Sequence, residues 1–82
     1  MTYRIEIKPQ AIKDGRNIPK NILIKIFKKI EMMSYGLSGD IKHLTNFTPE
    51  YRLRVGNYRV LFEVEEDEII IYRIKHRKEA YQ

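Results

Sequence analysis

Arg52, Arg54 and Arg59 stand in one β-prone stretch, YRLRVGNYRV, and His76, Arg77 and Tyr81 follow in IKHRKEAY near the end of the chain. Arginine presents a planar fork of donors that suits phosphate oxygens, and it stays charged at any ordinary pH. It can hold or offset an anion but cannot act as a base. The residues nearby that can titrate are His76, Lys75, Glu79 and Tyr81. His76 has the intrinsic pKa best matched to a general base. Tyr58 and Tyr81 can stack on a nucleobase, although a single tyrosine is more often a packing residue. His43 is alone in a polar stretch, no metal-ligand spacing surrounds it, and the chain has no cysteine. No metal or cofactor is expected.

The elements that position these residues are short strands. Gly56-Asn57 is a two-residue hairpin signal between β-prone runs. With those two as the loop, Val55 faces Tyr58, Arg54 faces Arg59 and Leu53 faces Val60. Alternation then gathers Arg52, Arg54, Arg59, Leu61 and Glu63 on one face. Leu53, Val55, Val60, Phe62 and Val64 share the other, which is the core face. Like charges directly opposite one another destabilise a sheet. A bound polyanion would explain the arrangement, and so would pairing with Glu50, Glu63 or other acids.

The run Glu68–Lys75 adds a further strand after the acidic turn Glu65-Glu66-Asp67. A two-residue turn puts Ile70, Tyr72, Ile74 and His76 on the arginine face. A three-residue turn puts Ile71, Arg73, Lys75 and Arg77 there, and it separates apolar from basic more cleanly. In both registers His76, Arg77 and Lys78 lie at the Gly56 end, and Glu65 to Glu68 lie at the other. The sheet is thus polarised along its strands in a way that can orient a polyanion.

Ahead of this meander, Tyr3 to Lys8 alternate as a half-buried strand, which Pro9 ends. Gln10 to Asp14 can make a turn or two of helix before Gly15 and Asn17 break it. From Pro19, Ile22, Leu23, Ile26, Phe27, Ile30 and Met33 recur at helical steps over about four turns, with Gly36 as a cap. Its lysines form either a solvated face or an electrostatic footprint for nucleic acid. Residues 37–50 form a polar connection that Leu44 and Phe47 pin to the core. The order strand, helix, helix, three strands predicts an α+β domain with helices on one sheet face.

With 82 residues, one domain over 1–82 is expected. Such a chain buries only about 60% of its unfolded surface, so a stabilising partner suits it. A net charge of +5 and a pI of about 9.6 favour acidic partners. No apolar run is long enough to span a bilayer, and MTYRIEIKPQ carries no signal-peptide pattern. A cytoplasmic protein is expected.

YRLRVGNYRVLFEV, then an apolar strand, then IKHRKEAY, resembles the RelE/ParE superfamily of toxins, and most the RelE branch of type II toxin–antitoxin systems. The resemblance covers nearly the whole chain, and RVGNYRV and KHRKEAY are its most specific pieces. It implies helices packed on a curved antiparallel sheet, and an endoribonuclease that cuts mRNA in the ribosomal A site without a metal. In that reaction a 2′-hydroxyl attacks the adjacent phosphate. It also implies a cognate antitoxin and a toxin–antitoxin hetero-oligomer. By position it assigns the site to Arg52, Arg54, Arg59, Arg77 and Tyr81, with His76 the first candidate base. The best-known members carry lysines where Arg52 and Arg54 stand, so neither is a base here. A ParE-like inhibitor of DNA gyrase, or a non-catalytic RNA-binding module of the same fold, are the alternatives.

Overall fold

The computed structural model describes residues 2–80. The elements run β1 (Arg4–Ile7), α1 (Pro9–Arg16), α2 (Lys20–Met33), β2 (Ile41–His43), β3 (Tyr51–Val55), β4 (Tyr58–Glu65) and β5 (Glu68–His76). The strands form a single five-stranded sheet in the order β1-β5-β4-β3-β2. The α+β class and the C-terminal meander stand as expected. The sheet is mixed rather than wholly antiparallel, because β1 pairs with β5 in parallel. The connection between those two strands contains both helices and the other three strands, long enough for a parallel return.

α2 buries Ile26, Ile30 and Met33 against Leu53, Val60, Phe62, Ile69, Ile71 and Ile74 of the sheet. Phe27, expected in that stripe, is 37% exposed. α1 continues through Gly15, which does not break it. Gly15 is buried where the two helices meet, and a Cβ there would come within 3.3 Å of Leu23. Close packing, rather than chain flexibility, accounts for the glycine.

The first hairpin has the register its turn chemistry predicts: Val55 opposite Tyr58, Arg54 opposite Arg59, Leu53 opposite Val60. Gly56 takes φ of +57°, a conformation glycine adopts without strain.

The second hairpin combines both registers considered above. Its turn is Glu66-Asp67, since Glu65 pairs with Glu68. Phe62 then pairs with Ile71 while Leu61 pairs with Arg73, so Tyr72 is an extra residue, a β-bulge. Before the bulge Ile69 and Ile71 face the core. After it, Arg73 and Lys75 join the arginine face and Ile74 returns to the core. The expectation for Arg73 and Lys75 holds, and that for Ile71 fails, because one inserted residue resets the alternation midway.

The 37–50 connection contains an element that its polarity conceals. β2 pairs antiparallel with β3, setting Lys42 opposite Arg52 and His43 opposite Tyr51. Gly39 precedes it at φ +123°, and a Cβ there would meet Leu53 Cδ1 at 3.0 Å. The backbone conformation therefore favours glycine immediately before Asp40, and a Cβ there would also press on the Leu53 side chain.

β1 runs beside β5 only as far as Ile71. Beyond that point the outer edge of β5 is covered by a side chain. Asp14 of α1 accepts from the Ile74 backbone N–H at 3.0 Å, and from Arg73 Nε at 2.8 Å and Arg73 NH2 at 3.1 Å. The carboxylate acts as the missing strand partner and fixes α1 to the sheet edge.

Candidate functional site

Two rows of cations cross the sheet face away from the helices. One row reads Lys42, Arg52, Leu61, Arg73 from β2 to β5. The next, on β3 to β5, reads Arg54, Arg59, Lys75. An open cleft of about 450 Å³ lies over the β2 side of these rows, and Lys42, Thr45, Phe47, Arg52, Arg54 and Arg59 line it.

The basic groups are held in different ways. Arg52 NH1 donates to the Asp40 backbone oxygen at 2.8 Å and to its carboxylate at 3.0 Å, and its side chain is only 15% exposed. Arg54 Nε lies 4.0 Å from the same carboxylate, and the Arg54 backbone N–H donates to the Asp40 carbonyl. The hydrogen bond from Arg52, against a smaller effect of burial, and then the charges of Arg52, Arg54 and Arg59 hold the Asp40 carboxyl below the usual carboxylate range. Arg59 NH1 donates to the carbonyls of Gly56 and Tyr58, which turns its guanidinium over the hairpin end. Arg73 is committed to Asp14. The acid that pairs with Arg52 and Arg54 is therefore Asp40. Glu50 and Glu63 bond each other instead, Glu50 N–H donating to the Glu63 carboxylate.

The structure brings Arg52, Arg54 and Arg59 together. Arg77 follows β5 in an exposed turn, and its backbone N–H donates to Asn57 O at 2.7 Å, which places it at the Gly56-Asn57 end of the sheet. His76 is set apart. Its register partner is Tyr58, whose ring packs against the core, and the two rings meet edge to face at 5.5 Å. Its Nδ1 accepts from the Lys78 N–H at 3.3 Å, so that nitrogen is already engaged. Lys75, not His76, stands opposite Arg59. Tyr81 lies outside the described residues.

Lys42 and Asp40 were not among the residues singled out from the sequence. Gly39-Asp40 directly before an Ile-Lys-His run was the available signal, but three residues are too few for alternation to mark a strand.

The acids Glu65 to Glu68 collect at the far end of the sheet, where Asp67 pairs with Arg4 at 3.4 Å. The cationic rows and the acidic turn are thus separated along β4 and β5, giving the face a direction for an approaching anion. No helix among the described residues is long and apolar enough to cross a membrane.

Comparison with known proteins identifies the lineage. The family model for the ParE toxin of type II toxin–antitoxin systems matches residues 5–81. The chain is 39% identical over 75 residues to Toxin RelE3 of Methanocaldococcus jannaschii, covering 85% of each protein. It superposes on a chain of the RelB–RelE antitoxin–toxin complex from Methanococcus jannaschii with a TM-score of 0.76 and 36% identity, over 89% of this chain and 91% of that one. A chain of the archaeal RelE–RelB complex from Pyrococcus horikoshii OT3 gives a TM-score of 0.79 at 28% identity, over 98% of this chain and 100% of that one. A match across almost the whole chain, with the same sheet and helices, is decisive: the chain belongs to the RelE/ParE superfamily and is a RelE-like toxin of the type II toxin–antitoxin class.

Proposed function

We propose that this toxin is an endoribonuclease that cuts mRNA on the ribosome and is neutralised by a cognate antitoxin. The observation that carries the reading is the row Arg54, Arg59, Lys75 beside the largely covered Arg52, with Asp40 the carboxylate that pairs with Arg52 and Arg54 among the described residues. A face chosen for stability alone would not set like charges opposite one another. A phosphodiester supplies the missing negative charge.

In the proposed reaction the 2′-oxygen of a ribose forms a bond to the adjacent phosphorus, and the bond to the 5′-oxygen of the next nucleotide breaks. The products are a 2′,3′-cyclic phosphate and a 5′-hydroxyl. Negative charge grows on the phosphoryl oxygens as the 2′-oxygen attacks, and fixed cations aimed at those oxygens lower the barrier. Arg54 and Arg59 serve that role, and Arg52, anchored by Asp40, fixes the wall of the cleft. The 2′-hydroxyl must give up its proton and the departing 5′-oxygen must take one up to become the 5′-hydroxyl, and Lys75 is the group in the row that can pass a proton. His76 is a weaker candidate because its Nδ1 is engaged and its ring lies with Tyr58 on the core side. Support for an antitoxin comes from the relatives seen with RelB.

The test is to map mRNA 5′ ends in a translating extract, with and without ribosomes, for the wild type and Arg59→Ala. Cuts at A-site codons that need ribosomes and Arg59 support the reading. The ParE name of the matched family keeps the alternative that the resemblance raised, an inhibitor of DNA gyrase. Intact mRNA with loss of gyrase supercoiling activity would establish that alternative and overturn the proposal.

Asp40→Asn has a separable effect under this reading. Removing the negative charge loosens the hold on Arg52, which keeps its bond to the backbone carbonyl of residue 40, and strengthens the positive potential of the cleft. Non-specific RNA affinity at low salt is expected to rise about 2- to 5-fold while cleavage falls. Filter binding across a salt series beside a cleavage assay measures both. A parallel change in the two would argue against Asp40 as an organiser of the arginines.

A further inference from the structure

We propose that a second cavity on the arginine face receives a nucleobase of the same RNA strand, an inference that rests on the RNA reading above. The cavity, about 530 Å³, is lined by Pro9, Pro49 and Tyr72 together with Lys8, Gln10, Glu63 and Arg73, the last already bonded to Asp14. It is more apolar than the cationic cleft of the same face.

The position follows from the strand register. Along β4, Arg59, Leu61 and Glu63 point to the same side. Four residues of strand separate the Arg59 row from Glu63, a distance of about 13 Å. An RNA strand whose phosphate lies on Arg54 and Arg59 can therefore reach the cavity with a neighbouring nucleotide. The step between them is Leu61, which is buried and presents no charge.

The chemistry fits a base rather than a phosphate or a sugar. A base needs flat apolar walls and polar groups at one edge. The proline rings and Tyr72 provide the walls. Gln10, one N–H of which bonds Asp14, keeps its second N–H and its carbonyl oxygen, and the Glu63 carboxylate has acceptor capacity beyond the single bond it takes from the Glu50 N–H. Tyr72 is there because of the bulge: as the extra residue of β5 it leaves the core alternation and shares a recess with Glu63. Bulges re-aim side chains in this way beside binding sites. Lys8 Nζ sits 5.9 Å from the centre of the Tyr72 ring, held from the other side by Glu6 at 3.3 Å, so a cation borders the stacking surface.

The experiment compares RNA hexamers with identical backbones, one intact and a set each lacking the base at a single position. Affinities are measured at low salt for the wild type, Tyr72→Ala and Tyr72→Leu, the last keeping apolar bulk without the ring. Loss of one particular base is expected to weaken wild-type binding about 10-fold. Both variants should bind intact and abasic strands alike, with an unchanged salt slope. A wild type indifferent to abasic substitution at every position overturns the inference while leaving phosphate binding intact. A Tyr72→Ala protein that keeps the base preference, or one that loses only its affinity for a protein partner, overturns it as well. The absence of any salt-dependent RNA binding would instead defeat the underlying RNA reading, and this inference with it.

Discussion

Replacing Arg59 with alanine is expected to slow mRNA cleavage about 100-fold or more without unfolding the protein. Arg59 stands between Arg54 and Lys75 in one cross-strand row, so a phosphate over that row meets its guanidinium at the centre. Its hydrogen bonds run to two carbonyls near the hairpin turn, Gly56 and Tyr58, and not to a carboxylate. Among the described residues no acid loses a hydrogen bond when it is removed, and Asp40 loses only the smaller influence of the Arg59 charge. Relief of repulsion across the strands is worth roughly 0.2–1 kcal/mol, so the melting temperature should hold or rise slightly. Activity and stability therefore move in opposite directions, which a residue retained for folding would not show. Arg59→Lys should recover part of the rate, since it restores the charge but not the planar fork. Single-turnover cleavage on programmed ribosomes, beside thermal melts of the same proteins, reads both. Full cleavage by Arg59→Ala would remove Arg59 from the site.

The first hairpin was legible because its turn is chemically unambiguous. Gly56-Asn57 fixes a two-residue loop, and every pairing from Val55 and Tyr58 outward follows. The amphipathic spacing of α2 was legible for the same kind of reason, since Ile26, Ile30 and Met33 repeat at helical steps. Gly15 could not be interpreted, because a glycine that breaks a helix and one that admits a neighbouring Leu23 look alike in a sequence. The parallel docking of β1 was equally concealed. Strand alternation records which side is buried, not which strand lies alongside.

The site was legible where it is local and obscure where it is assembled. Arg52, Arg54 and Arg59 lie on one hairpin, and alternation alone groups them. Lys42 joins them through β2, three residues long, whose partner strand begins eight positions after it ends. Asp40 is an ordinary loop acid until Gly39 brings its backbone against β3. The bulge at Tyr72 carries no turn residue to announce it, so the facing of Arg73 and Lys75 came from the separation of apolar from basic positions. His76 shows the limit of choosing a base by intrinsic pKa, because the register puts it across from Tyr58.

Asp14→Ala is expected to destabilise the fold by about 2–3 kcal/mol and to lower the melting temperature by roughly 10–20 °C. The Asp14 side chain is only 12% exposed, and three hydrogen bonds converge on it from residues 59 and 60 positions away. Truncation leaves the Ile74 N–H and the Arg73 guanidinium without their acceptor at a strand edge that no other strand covers. Burial pushes the Asp14 carboxyl upward. The hydrogen bonds from Arg73 and the Ile74 N–H, the Arg73 charge and a bond from Gln10 together outweigh it and hold the carboxyl below its usual range. The sign of the pH effect follows. A carboxylate whose pKa is lower in the folded state adds stability that is complete above its unfolded pKa of about 4 and is lost as pH falls through the folded value. The stability gap between the wild type and Asp14→Asn should therefore be constant near neutrality and shrink on acidification below about pH 4. Urea melts of both proteins across that range measure the difference directly, with other carboxylates cancelling. A gap that widened in acid would mean that Asp14 gains nothing from Arg73. With α1 tethered in this way, Arg73 is held in place at the end of its row, and the arginines of the two rows that remain open to an anion are Arg54 and Arg59.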